Sequence, residues 1–136
     1  MGFALRDHTA DVAVEAWGES LGETFAAVAD GMAAAMCESI PGGGSRFEVE
    51  VVAEGLEAAL FDYLDELIYQ RDVRGVLPVD NLASVDRAGD RWTVVGSARG
   101  LPIEAVNARE VKAVTYSEMV LEEQNVGWHA YVVLDV

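Results

Sequence analysis

The sequence has 136 residues, 51% of them hydrophobic and 24% charged, with 24 Asp and Glu against 9 Lys and Arg and a net charge of −15. A chain this long buries roughly 68% of its unfolded surface, so one self-sufficient domain is expected. An evenly acidic surface is repelled by phosphate backbones and anionic membranes, so direct nucleic-acid binding and membrane attachment are not expected. Metal cations and basic protein surfaces are the natural partners of such a chain.

The lone cysteine, Cys37, leaves no internal disulfide to form. It follows Met32-Ala33-Ala34-Ala35-Met36 and reads as a small buried hydrophobe. The N-terminal residues lack the charged-then-apolar order of a signal peptide, and no apolar run approaches the ~18 residues of a membrane span. A cytoplasmic protein is expected.

Phe3-Ala4-Leu5 and Val12-Ala13-Val14 are two short apolar runs of strand length, separated by Arg6-Asp7-His8-Thr9-Ala10-Asp11. The second run alternates through Trp17 and ends at Gly18. Ser20-Leu21-Gly22-Glu23 is a capping box, with the Ser20 hydroxyl placed to accept from the Glu23 N–H while Glu23 reaches back. Leu21, Phe25, Val28, Met32 and Met36 then recur at helical spacing, predicting a first helix over 21–38. Pro41 to Ser45 is a loop. Its three glycines are not followed by Lys-Ser or Lys-Thr, and Phe47, Val49 and Val51 alternate behind it, so it is a turn into a strand and not a phosphate cradle.

A second helix begins after Gly55. Leu56, Leu60, Leu64, Leu67 and Ile68 form its apolar face, while Asp62, Asp65 and Glu66 supply its solvated side. Gly75 closes it and Pro78 prevents its return. Residues 81–87 and 91–99 flank Ala88-Gly89-Asp90 as a hairpin, and 110–121 and 128–135 form a last strand pair. The pattern predicts an α+β single domain over 1–136, with largely antiparallel β-sheet packed against two main helices.

The last strand, Tyr131-Val132-Val133-Leu134-Asp135-Val136, carries an apolar run to the final residue. Chain ends usually fray, so a terminus held in a strand is unusual. It sets the Val136 α-carboxylate beside the Asp135 side chain. Two fixed carboxylates repel unless a cation joins them, and hard ions such as Ca²⁺ or Mg²⁺ take clustered oxygen ligands. The loop between the first two strands could add a third carboxylate, from Asp11 or Asp7. The blander reading is that Asp7 and Thr9 hydrogen-bond their own turn. His8 suits a transition metal better than Ca²⁺. His129 shares a face with Tyr131, Val133 and Asp135 by alternation, and is expected to support the sheet. Zinc-protease, cysteine-cluster and nucleophile-elbow patterns are absent.

Asp-His-Thr-Ala-Asp-Val at 7–12 followed by Ala-Trp-Gly, Glu110-Val111-Lys112-Ala113-Val114-Thr115-Tyr116, and the terminal Val-Val-Leu-Asp-Val resemble the archease family over the whole chain. The resemblance implies a non-catalytic protein that activates an RtcB-type RNA ligase in tRNA splicing and RNA repair. Such an activator promotes guanylylation of the ligase, supports multiple turnover and broadens the nucleotides accepted. The resemblance also implies a Ca²⁺-type divalent-cation site on Asp11, Asp135 and the Val136 carboxylate. Asp7, His8, Lys112 and Tyr116 lie in the same motifs as supporting candidates. A stand-alone metal-dependent enzyme with His8 as base, and an acidic chaperone-like binding protein without a metal, are the alternatives of other classes.

Overall fold

The computed structural model describes residues 1–8 and 11–136, except for the side chains of Asp7 and His8. Among the described residues, seven strands form two antiparallel sheets, with two α-helices packed between them and one short 3-10 helix at Ile103–Ala105. Strands β1 (Gly2–His8), β2 (Asp11–Gly18), β7 (Trp128–Asp135) and β6 (Ala113–Glu123) make one sheet in the order β1-β2-β7-β6. Strands β3 (Ser45–Ala53), β5 (Arg91–Pro102) and β4 (Val76–Ala88) make the other, in the order β3-β5-β4.

Helix α1 (Leu21–Met36) packs on β1, β2 and β7 of the first sheet and on β4 of the second. Ser20 caps it as expected, its Oγ accepting from Glu23 N–H at 3.1 Å. The Glu23 carboxylate reaches back one residue further than a simple capping box requires, to the Glu19 N–H at 2.9 Å. The spacing predicts one apolar stripe, but α1 is buried nearly all round. Ala26, Ala27, Ala29, Ala33 and Ala35 are buried beside Phe25, Val28, Met32 and Met36. Small side chains make this two-sided packing feasible. A Cβ on Gly22 would stand 2.4 Å from the backbone oxygen of Ala83, and one on Gly31 would stand 2.4 Å from Val14 Cγ1.

Helix α2 (Leu56–Arg74) packs on β3, β4 and β5, and on β6 across the molecule. Gly75 ends it in the left-handed conformation, φ 65°, with its N–H on Arg71 O. The following strand starts at once, five residues before the one predicted at 81. Pro78 is accommodated because β4 lies at the sheet edge, where a missing donor leaves no ladder partner unmet. A register break between Val79 and Leu82 then bends β4, with Asp80 at φ 49°. The break turns Asn81 inward, where its N–H and Nδ2 both donate to Asp30 Oδ1 at 2.9 Å. Burial raises the Asp30 carboxyl above its usual range, opposed by those two bonds.

The hydrophobic core lies between the sheets around α1 and α2. Phe25 and Tyr63 face each other there with centroids 6.1 Å apart. Cys37 is buried, as its setting predicts, and its thiol meets Ser39 O at 3.1 Å.

Gly22→Ala should destabilise the fold by about 1–3 kcal/mol, the usual range for overpacking a tight interior. Gly31→Ala should cost less, because the atom in its way ends a side chain and the atom facing Gly22 belongs to backbone. Urea-unfolding midpoints of the two variants against the parent check the order.

Candidate functional site

The β1–β2 hairpin opposes His8 to Asp11, and its two-residue connection, with Thr9, lies outside the described residues. β2 pairs with β7 from Val12↔Leu134 to Gly18↔Trp128, and β6 pairs with the end of β7 through Ala113↔Asp135. One further step along the β2–β7 ladder sets Asp11 opposite Asp135. Opposed residues on neighbouring strands have Cβ atoms about 4.5–5.5 Å apart. Alternation assigns Val14, Ala16, Ala130, Val132 and Leu134 to the core side. Asp11, Ala13, Glu15 and Trp17 of β2 therefore share the opposite face with His129, Tyr131, Val133 and Asp135 of β7.

Asp11 is half-buried, and Asp135 and Val136 are exposed at the open end of the ladder. The structure thus brings Asp11 and Asp135 to one end and one face of the sheet, next to the last residue. The side chains of Asp7 and His8 lie outside the described residues. Among the described residues no three His, Cys, Asp or Glu side chains gather as a metal-holding group. Asp11 and Asp135 offer carboxylate oxygens at this end, the donor chemistry that a hard divalent cation takes.

Lys112 sits beside this end. Its backbone N–H donates to Asp135 O at 2.7 Å, and its residue is exposed. Tyr116 is 53% exposed, yet its ring lies flat on Phe61 at 4.2 Å and 7°. Partial burial and the nearby Asp62 and Glu57 carboxylates raise its hydroxyl above the usual tyrosine range. β6 loses register between Thr115 and Val120, with Glu118 at φ 54°, so Tyr116 leads into a bulge.

His129 supports the sheet at its opposite end. Its Nε2 is 2.8 Å from Glu15 Oε2 on β2, and its Nδ1 is 3.3 Å from Glu122 Oε1 on β6. A neutral imidazole has one N–H, so serving both carboxylates takes the imidazolium. Arg6 Nη2 completes the row at 2.8 Å from Glu15 Oε1. The bond from His129, and then that from Arg6, hold Glu15 below the usual carboxylate value of 4.5.

The α2 carboxylates behave as a solvated side: Asp65 is exposed, and Asp62 and Glu66 are half-buried, with Glu66 taking a bond from Gln70. Met32 and Met36 are core. The element that sequence reasoning missed is the connection 106–112, which forms neither helix nor strand and is bonded to three separate elements. A basic residue, Arg71, in the register of Leu64, Leu67 and Ile68 was the one available signal.

The two antiparallel sheets with two packed helices place this chain in a class of small α+β proteins with known relatives. The Archease protein family model matches residues 3–136, and this chain belongs to that family. It is 31% identical over 139 residues to the protein archease of Pyrococcus furiosus, covering 96% of this chain and 95% of that protein. It is 34% identical over 136 residues to the Thermococcus kodakarensis protein archease, at the same coverage. The solution structure of Methanobacterium thermoautotrophicum protein 1598 aligns with a TM-score of 0.86 and 31% identity over 99% of each chain. The crystal structure of a Thermotoga maritima archease, described as a "possible chaperone", shares the fold with a TM-score of 0.63 at 24% identity, over 96% of this chain and 94% of that one.

Glu15→Gln should lower stability at neutral pH. Because the folded carboxyl titrates below its unfolded value, its contribution is present above about pH 4.5 and is lost as the pH falls through the folded value. Thermal melts of both proteins should therefore differ at pH 7 and converge in acid.

Proposed function

We propose that this member of the archease family is a non-catalytic activator of an RtcB-type RNA ligase, acting in tRNA splicing and RNA repair. It promotes guanylylation of the ligase, sustains multiple turnover and broadens the nucleotides the ligase accepts. The observation that supports this reading is the β2–β7 register, which ends at Val12↔Leu134 and leaves Asp11 and Asp135 as the next residues of the two strands, beside Val136. Membership of the family supports it for the chain as a whole.

Asp11, Asp135 and the Val136 carboxylate would hold a divalent cation of the Ca²⁺ type, with Asp7 and His8 as neighbours from the hairpin. When bound, the ion neutralises carboxylates that otherwise repel and offers a positive centre to phosphate oxygens. The chain's own part is positional. β7 would present Asp135 and β2 would present Asp11 from the neighbouring strand, with Lys112 at the same end through its N–H bond to Asp135 O. A net charge of −15 steers the encounter toward a basic, RNA-binding surface and disfavours direct contact with RNA itself. No helix among the described residues is long and apolar enough to cross a membrane, which is compatible with work in the cytoplasm.

The test uses an RtcB-type ligase from the same source, with excess RNA ends and GTP. Ligation events per ligase are counted with and without a trace of this protein. The ligase should stall near one turnover alone and cycle when the protein is present. Asp11→Asn and Asp135→Asn should each return the count to the ligase-alone value. Full stimulation by both variants would overturn the metal-site reading. Stimulation that survives chelator would favour a chaperone-like partner. No effect of the parent protein would refute the activator reading.

A further inference from the structure

The connection 106–112 runs past the C-terminus of α1 and the C-terminal third of α2 to the end of β7. Four bonds fasten it. The Arg109 N–H donates to Met36 O at 2.6 Å and its Nη2 to Ala35 O at 3.0 Å, closing the end of α1. Arg71 Nη1 donates to Val111 O at 2.6 Å. The Lys112 N–H donates to Asp135 O at 2.7 Å. The segment also packs, with Val111 fully buried in the core, and an open pocket of about 240 Å³ lies beside it, lined in part by Met36, Arg71, Leu77, Ile103 and Arg109.

Arg71 is the unusual member. It is 8% exposed and occupies a position in α2 where the helical register calls for an apolar side chain. A guanidinium out of water is unfavourable unless it is well bonded. Its bonds go to Val111 O, to Asp72 Oδ1 at 3.0 Å, and to Met36 Sδ at 3.6 Å. None of these three bonds reaches Asp11 or Asp135. Its Val111 partner is a neighbour in sequence to Lys112, whose N–H holds the residue that carries the Asp135 carboxylate.

We infer that Arg71 is a positioning residue for the cation site, acting through the 106–112 connection on the height of Asp135 and Val136. This inference rests on the metal-site reading above. Ca²⁺ ligands must sit within 2.3–2.6 Å of the ion, so a small displacement of β7's last residues moves two of the three donors together. Asp11, on β2, would stay where it is, and the set would no longer converge.

The experiment titrates Ca²⁺ by calorimetry into the full chain at neutral pH. The parent, Arg71→Met, Arg71→Lys, Arg109→Met and Asp11→Asn are compared, and each is melted in chelator to verify folding. Removing a partner that orients a ligand typically weakens metal affinity on the order of 10- to 100-fold. That loss is expected for Arg71→Met at a chelator melting temperature near that of the parent. Arg71→Lys should recover part of it, since an ammonium can still reach Val111 O. A merely structural role would move the melting temperature and leave the affinity of the folded protein alone. If Arg71→Met fails to fold, Arg109→Met, on the same connection, is expected to show the loss. Folded variants that bind Ca²⁺ as tightly as the parent overturn the role of Arg71 while the metal site stands. A parent that does not bind Ca²⁺ overturns the metal site first, and this inference with it.

Discussion

The antiparallel ladder between β2 and β7 is the constraint on which the rest of the molecule depends. It joins Val12 to Leu134 and Gly18 to Trp128, residues from opposite ends of the chain. Until that ladder closes, β1 has only its hairpin partner and β6 only its own, and neither half of the sheet can offer α1 a continuous floor. The entropy of closing so long a loop is repaid by burying Val14, Ala16, Ala130, Val132 and Leu134 against the helices. The same ladder carries the candidate site, because a strand pair that aligns Val12 with Leu134 also aligns the residues one step beyond.

The helices meet a second constraint, which is space. Each packs on elements of both sheets, so α1 has almost no side on which a bulky residue would reach solvent. Alanine and glycine make up most of the surface between its larger residues, and the approach of Ala83 backbone to Gly22 shows how close the second sheet comes. α2 stands further out and keeps an acidic, solvated side.

Polar groups then hold what packing does not. On the outer face, His129 ties β7 to Glu15 of β2 and Glu122 of β6, and Arg6 extends the row to β1. At the other end, Arg71, Arg109 and the Lys112 backbone fasten an irregular segment to two helices and a strand. These interactions lie at opposite ends of the first sheet. One is a side-chain clamp across strands, and the other holds backbone. Together they restrain β7 near both its ends, leaving the terminal residues beside Asp11 with a defined position.

Period and punctuation determined much of this architecture from sequence alone. The Ser20 cap, the heptad-like apolar rows of both helices, Gly75 as a left-handed stop, the 88–90 hairpin and the terminal strand all act through neighbours a few residues away, and local chemistry is what a sequence displays. The family motifs likewise lie in short contiguous runs at 7–12, 110–116 and 132–136. Tertiary structure decided what depends on distant partners. It turned the single stripe of α1 into two-sided burial, because both sheets close on it. It extended β4 back to Val76, because an edge position tolerates Pro78 and Asp30 on a distant helix satisfies the displaced Asn81. It moved the start of β6 from 110 to Ala113 and its end to Glu123, because 109–111 bond to α1 and α2 and do not join the β7 ladder. Sequence spacing permits either Asp11 or Asp7 to approach Asp135, and the β2–β7 register, with the core side of both strands set by Val14, Ala16, Ala130, Val132 and Leu134, brings Asp11 and Asp135 to one face at one end of the sheet.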